Sequence, residues 1–222
     1  MTAVAGILAM VTLELRQIKV LPGQSVRLEN IDWSEFEAIL AELGDSRGTR
    51  IAYSDRTLTI VAPLFRHEKS KATLGDLVEV LLEEQGIDYD ASGSTTLKRK
   101  DLIKGVESDD SFYIQNFSQV LNKDRIDLTV DLPPDLAIEI DLTSKTDAAL
   151  YEALGVPELW RFDEGSLRMD VLQNGKYVQV QESPTFPGWP VVELAQKYVA
   201  RARAVGKGRA IRELRQQVRA SL

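Results

Sequence analysis

Residues 135–145 read DLAIEIDLTSK, and this stretch limits the fold more than any other part of the chain. Leu136, Ile138, Ile140 and Leu142 are aliphatic, and Asp135, Ala137, Glu139 and Asp141 alternate with them. A period of two predicts a β-strand with one face in an apolar core. Residues two apart on a strand point the same way at roughly 6.5–7 Å, so the three carboxylates share the other face. Pro133 and Pro134 precede them, and no basic residue interrupts the acids. Like charges so placed repel unless a cation or a lysine compensates. A solvated sheet face is one explanation. The other is metal-assisted phosphodiester hydrolysis, in which carboxylates hold a divalent ion and a lysine stabilises developing charge.

Counting narrows the chemistry. The chain has no cysteine and one histidine, His67. Disulfides, thiolate nucleophiles and multi-histidine zinc sites are therefore excluded. Any metal would have to be held by oxygen ligands, which suits Mg²⁺ or Mn²⁺. No GxxxxGK[ST] phosphate loop and no GxSxG elbow occurs, since GKGRA and SGSTT lack the required spacing. A glycosidase would also use two carboxyl groups, but nothing else in the chain points there.

Net charge is −7 over 222 residues and is unevenly placed. Residues 201–222 carry seven bases (Arg201, Arg203, Lys207, Arg209, Arg212, Arg215, Arg219) against Glu213, and the rest of the chain is strongly acidic. An acidic body repels nucleic acid at long range, so contact with DNA requires local basic patches. The basic tail could lie on phosphates, support a dimer through its apolar face, or be a solvated amphipathic helix. It has no interleaved aromatics of a base-stacking kind. No 18-residue apolar run is present, so no membrane helix is expected. The start, MTAVAGILAM, lacks a basic n-region; it reads as something other than a signal peptide, with Met10 near the true start and a cytoplasmic location expected.

Along the chain, residues 11–31 read as an arm with short strands. DWSEFEAILAELG predicts a helix with Asp32 as N-cap, Glu35 completing a capping box and Gly44 as stop. TRIAYSDRTLTIVAP predicts a hairpin turning near Ser54-Asp55. A second helix is expected from His67 to Gln85, then mostly loop to Glu107, then a strand over Ser111–Asn116. RIDLTVD either extends that strand region or leads into the alternating stretch. A short helix is capped near Thr146 or Asp147 and stopped at Gly155, with PELWRF, SLRMDVLQ and KYVQVQ as further strands, the last two joined through Asn174-Gly175. Trp160, Tyr151 and Phe162 have the spacing of core residues under the sheet. One or two helices broken around Gly206–Gly208 close the chain.

Three segments, ESDDSFYIQN, RIDLTVDLPPDLAIEIDLTSKT and YEALGVPELWRF, resemble the Uma family of restriction endonucleases, formerly a domain of unknown function, within the PD-(D/E)XK nuclease superfamily. The resemblance runs from about Asp32 to Gln181. It implies an α/β (α+β) restriction endonuclease-like core, a central mixed sheet flanked by helices, with residues 1–31 as an arm, 32–185 as the domain and 186–222 as a basic helical extension packed on it. It implies a Mg²⁺- or Mn²⁺-dependent endonuclease acting on DNA as a homodimer. The matching metal aspartate is Asp109, where Ser108 replaces the usual proline and Asp110 is adjacent. The next acid is Glu139, with the Ile140 carbonyl as a further ligand. The lysine expected two residues on is absent, because Asp141 stands there; Lys145 is the nearest replacement. Glu68 matches an auxiliary acid on the first core helix, beside His67, which is more simply a hydrogen-bonded helix-start residue. Asp127 falls in the matching block as a turn residue. Asp135 follows Pro134, but four strand residues from Glu139, about 13 Å, is too far to share an ion. The alternative is a nuclease-fold protein without cleavage activity, serving as a binding or assembly module; the missing lysine and acidic body favour it.

Overall fold

The computed structural model describes residues 13–44, 48–142 and 145–222; the N-terminal segment with Met10 lies outside the described residues. Two sheets organise the chain, and one of them is the expected mixed sheet flanked by helices. The first has the order β1-β3-β2-β6-β5, formed by β1 (Ser25–Leu28), β2 (Arg50–Ser54), β3 (Thr57–Val61), β5 (Thr96–Arg99) and β6 (Lys104–Glu107). The second has the order β11-β10-β9-β8-β7-β4, with β4 (Asp90–Ala91), β7 (Asp110–Tyr113), β8 (Leu136–Ile140), β9 (Glu158–Asp163), β10 (Ser166–Gln173) and β11 (Lys176–Val180). All neighbours are antiparallel except β8 and β9. The expected arm is, from Ser25 on, an edge strand hydrogen-bonded to β3.

Local signals behave as their chemistry requires. Helix α1 (Trp33–Leu43) starts at Asp32, whose carboxylate accepts from Glu35 N at 2.9 Å while Glu35 Oε2 accepts from Asp32 N at 2.7 Å. The β2–β3 hairpin turns through Asp55-Arg56, both at positive φ, and β10–β11 turns through Asn174-Gly175 in the same way. Such turns match the twist of the flanking strands. Helix α2 (Phe65–Glu84) begins two residues before His67. RIDLTVD is not a strand: Val130 N and Asp131 N both donate to Asp127 O, so it turns.

A parallel pair needs a crossover, and α3 (Ala148–Leu154) supplies it between β8 and β9. It covers the face of β8 that carries Ala137, and Leu150, Tyr151, Leu154 and Leu159 close over it with Leu97 and Val106 from the first sheet. The acidic face of β8 is therefore not a solvated surface. Its aliphatic face, Leu136, Ile138 and Ile140, packs beneath α2, α4 (Val191–Val205) and α5 (Lys207–Ser221). Each such side chain contributes about 1.5–3 kcal/mol by leaving water. The apolar stripe of α5, Ala210, Leu214 and Val218, is fully buried in this core, so it is not a dimer face. Gly75, in the middle of α2, sits where a Cβ would lie 2.6 Å from Asp110 Oδ2, so a side chain there would have to displace that carboxylate. Among the described residues, no helix is long and apolar enough to cross a membrane.

Candidate active site

The chain passes from the first sheet to the second between Glu107, which ends β6, and Asp110, which opens β7. Asp109 stands in that passage and is 2 % exposed. Antiparallel pairing of β7 and β8 sets Asp110 opposite Ile138, so one step further along the ladder Asp109 faces Glu139. Directly opposed residues bring their Cβ atoms to about 4.5–5.5 Å. The two carboxyl groups are close enough to act on each other directly. Burial first, then the negative charge of Asp109, pushes the Glu139 carboxyl well above the usual carboxylate range. Like-charge crowding in a water-poor place is what raises one acid of a pair.

Groups from α3, α2, β2 and β8 itself surround this pair. The Tyr151 hydroxyl, from α3, donates to Glu139 Oε1, and burial together with Glu139 holds that phenol far above its ordinary value. The backbone N–H of Ile140 donates to Asp109 Oδ2 at 2.8 Å. His67, buried on the first turn of α2, places Nε2 at 3.0 Å from Asp109 Oδ2 and Nδ1 at 3.3 Å from Glu68 Oε1. Burial opposes its charge, but hydrogen bonds to Asp109 and Glu68 prevail and raise the imidazole to about 9. Arg50, first residue of β2, reaches in from the other sheet, with Nε 3.7 Å from Asp109 Oδ1 and Nη2 4.0 Å from Glu68 Oε1. The cleft between the sheets has a volume of about 340 Å³ and is lined by Arg27, Arg50, His67, Asp109, Glu139 and Lys145 among others.

Asp109, Glu139 and Ile140 thus come together in one cleft. Lys145 lines its mouth, but its side chain is 71 % exposed and its ammonium pairs with Asp163. Thr143 and Ser144, before it, lie outside the described residues. Glu68 reaches the pair through His67, whose hydrogen bond lowers its pKa, and through Arg50. Asp141, which stands in the place of the lysine, accepts from Thr146 N at 2.8 Å and from Thr146 Oγ1 at 2.6 Å, which ties down the loop before α3. Asp135 caps the far end of the sheet, accepting from Ile114 N and Gln115 N. Asp127 holds its own turn through Thr129. Asp110 lies against α2 beside Gly75.

Arg50 and Tyr151 are the members that sequence reasoning missed, and His67 is more than a helix-start residue. Neither Arg50 nor Tyr151 carries a local signal, since one alternates normally in a hairpin and the other has core spacing. The rarity of histidine and its place beside Glu68 in the family resemblance singled out His67.

A hard divalent ion suits these donors. Asp109 and Glu139 supply carboxylate oxygens, and the Ile140 carbonyl, which accepts from Leu142 N at 2.9 Å, keeps a second lone pair. Among the described residues no cationic side chain pairs with Glu139, so a cation there would relieve its crowding with Asp109. No group of three or more His, Cys, Asp or Glu side chains among the described residues is arranged for a metal. Mg²⁺ commonly takes one or two carboxylates and keeps water for the rest of its shell.

Two packed sheets, flanking helices and a carboxylate pair at the crossing between them define a restriction endonuclease-like protein. A family model, Uma2, described as "Putative restriction endonuclease", matches residues 33–198, and the chain belongs to that family. Among solved structures it is similar to an Anabaena variabilis protein described as "a putative nuclease belonging to DUF820". The TM-score is 0.52 at 15% identity, over 76% of this chain and 99% of that one, a likeness of fold alone. No curated protein matches the chain.

Proposed function

We propose that the protein is a Mg²⁺- or Mn²⁺-dependent endonuclease hydrolysing DNA phosphodiester bonds in the cleft between its sheets. The observation that carries this is the convergence of Asp109 and Glu139, two carboxyl groups from separate segments crowded until one is pushed up in pKa. Asp109, Glu139 and the Ile140 carbonyl would hold the ion, which supplies a hydroxide-like water and charge stabilisation when bound. Tyr151 fixes Glu139 by its hydrogen bond, and the Ile140 N–H does the same for Asp109. Arg27, Arg50 and Lys145 line the cleft and give an otherwise acidic body the local positive charge that a phosphate chain requires. Cutting both strands takes two clefts, which a pair of chains would supply.

A second reading, a nuclease-fold binding module, is favoured by one observation: His67 and Arg50 already stand around Asp109. Plasmid nicking with Mg²⁺ and with Mn²⁺ separates the two. Wild-type nicking that needs the ion and falls at least about a hundredfold in Glu139→Ala supports the enzyme. Absence of nicking by the wild type with either ion sinks the enzyme and leaves the binding module.

A further inference from the structure

Positive charge is missing from the strand where it is expected. Asp141 occupies the lysine position two residues after Glu139, its carboxylate taken by Thr146. Lys145 is turned outward to Asp163. Besides His67 on α2, Arg50 is a cation that the fold brings to the carboxylates, and it comes from the other sheet. Its side chain is only 18 % exposed. Its Nε is buried and makes no hydrogen bond. Its two carboxylate neighbours, at 3.7 and 4.0 Å, attract it without spending a hydrogen bond. A buried N–H donor left unmade is unfavourable, and it belongs to a residue that lines the cleft. The guanidinium fork, always charged, matches the two free oxygens of a phosphodiester.

We infer that Arg50 is a catalytic residue that binds the non-bridging oxygens of the scissile phosphate, in place of the absent strand lysine. This rests on the nuclease reading and names how that site would take its substrate. The water oxygen bonds to phosphorus as the bond from phosphorus to the leaving sugar oxygen breaks. The water gives up a proton, the leaving oxygen takes one, and no electrons are transferred. The guanidinium donates to the phosphate throughout, with most effect when negative charge builds on the equatorial oxygens.

Two variants and two readouts test it. Arg50→Met keeps the length of the side chain and removes the fork, and Arg50→Lys restores a point charge. In the cleavage assay Arg50→Met should lose about a hundredfold in kcat, with partial recovery in Arg50→Lys. Mn²⁺ binding, read by electron paramagnetic resonance, should be retained in both. The second readout needs no cleavage: the Arg50 Nε–H resonance of the ¹⁵N-labelled full chain, with Ca²⁺, titrated with the dinucleotide thymidylyl-thymidine. That resonance, identified by its loss in Arg50→Lys, should move and saturate. An Nε–H that stays still at millimolar dinucleotide overturns the assignment, as does an Arg50→Met protein that cleaves at the wild-type rate. Should the wild type cut nothing while the Nε–H responds, the nuclease reading fails and phosphate binding by Arg50 stands.

Discussion

The cleft floor and the seam between α2 and α5 are built from the same kinds of side chain arranged in opposite ways. In the seam three acids of α2 meet bases: Asp76 takes Lys207 at 2.8 Å, Glu83 takes Arg215 at 2.8 Å, and Glu84 takes Arg215 and Arg219 at 2.7 Å each. Glu213 likewise binds Arg201 and Arg209 within the C-terminal pair of helices. These pairs lie near solvent, where they cost little to desolvate and contribute modestly. In the cleft two acids are crowded together, Asp109 buried and Glu139 half-buried, and the nearest cations, His67 and Arg50, both stand on Asp109. Paired charge at a rim holds elements together. Crowded charge in a buried cleft is retained against stability, as catalytic groups often are.

The largest effect should come from the crowded pair. Glu139→Gln should reduce metal-dependent nicking about 10²–10³-fold without lowering Tm, because it removes a repulsion and keeps the Tyr151 contact. A Tm loss with unchanged nicking would break the comparison. Next, Leu214→Ala should cost about 2–5 kcal/mol in urea unfolding, since Leu214 is fully buried under α2. Per folded molecule, nicking should persist; a tail lying on DNA would give the reverse pattern.

The pH response should differ between the two regions. Folding raises His67 from 6.5 to about 9. Its stabilisation is therefore complete below pH 6.5 and is lost as pH rises through 9. Thermal melts in EDTA should show that alkaline loss in the wild type and a flatter profile in His67→Gln. The hydrogen bond from Arg201, with that from Arg209, lowers Glu213 from 4.5 to about 2. That contribution is present above pH 4.5 and fades as pH falls towards 2. The partly exposed Glu213 pair should give the smallest change, a slight narrowing of the Tm gap between wild type and Glu213→Gln on acidification, diminished further by salt.

What could be read along the chain was what neighbours along the chain decide. The Asp32–Glu35 capping box, the Asn174-Gly175 turn and the Gly206 break follow from interactions within a few residues. The alternation of residues 135–142 showed the strand, and resemblance added Asp109 as the partner of Glu139. Its acidic face was misjudged as a candidate solvated surface because α3, which covers it, is recruited by the parallel pairing of β8 and β9. The basic tail remained open to three uses for the same reason: its partners on α2 are more than a hundred residues earlier.

By itself, the amino-acid order determined the strand and helix types, the acids of the candidate pair and, by the scarcity of histidine and cysteine, a hard-ion chemistry if any metal binds. Tertiary structure alone decided that Arg50, His67 and Tyr151 surround that pair and that Lys145 turns away from it. Backbone preferences act over a few residues, whereas the field at a carboxylate depends on whichever charges folding brings within several ångströms.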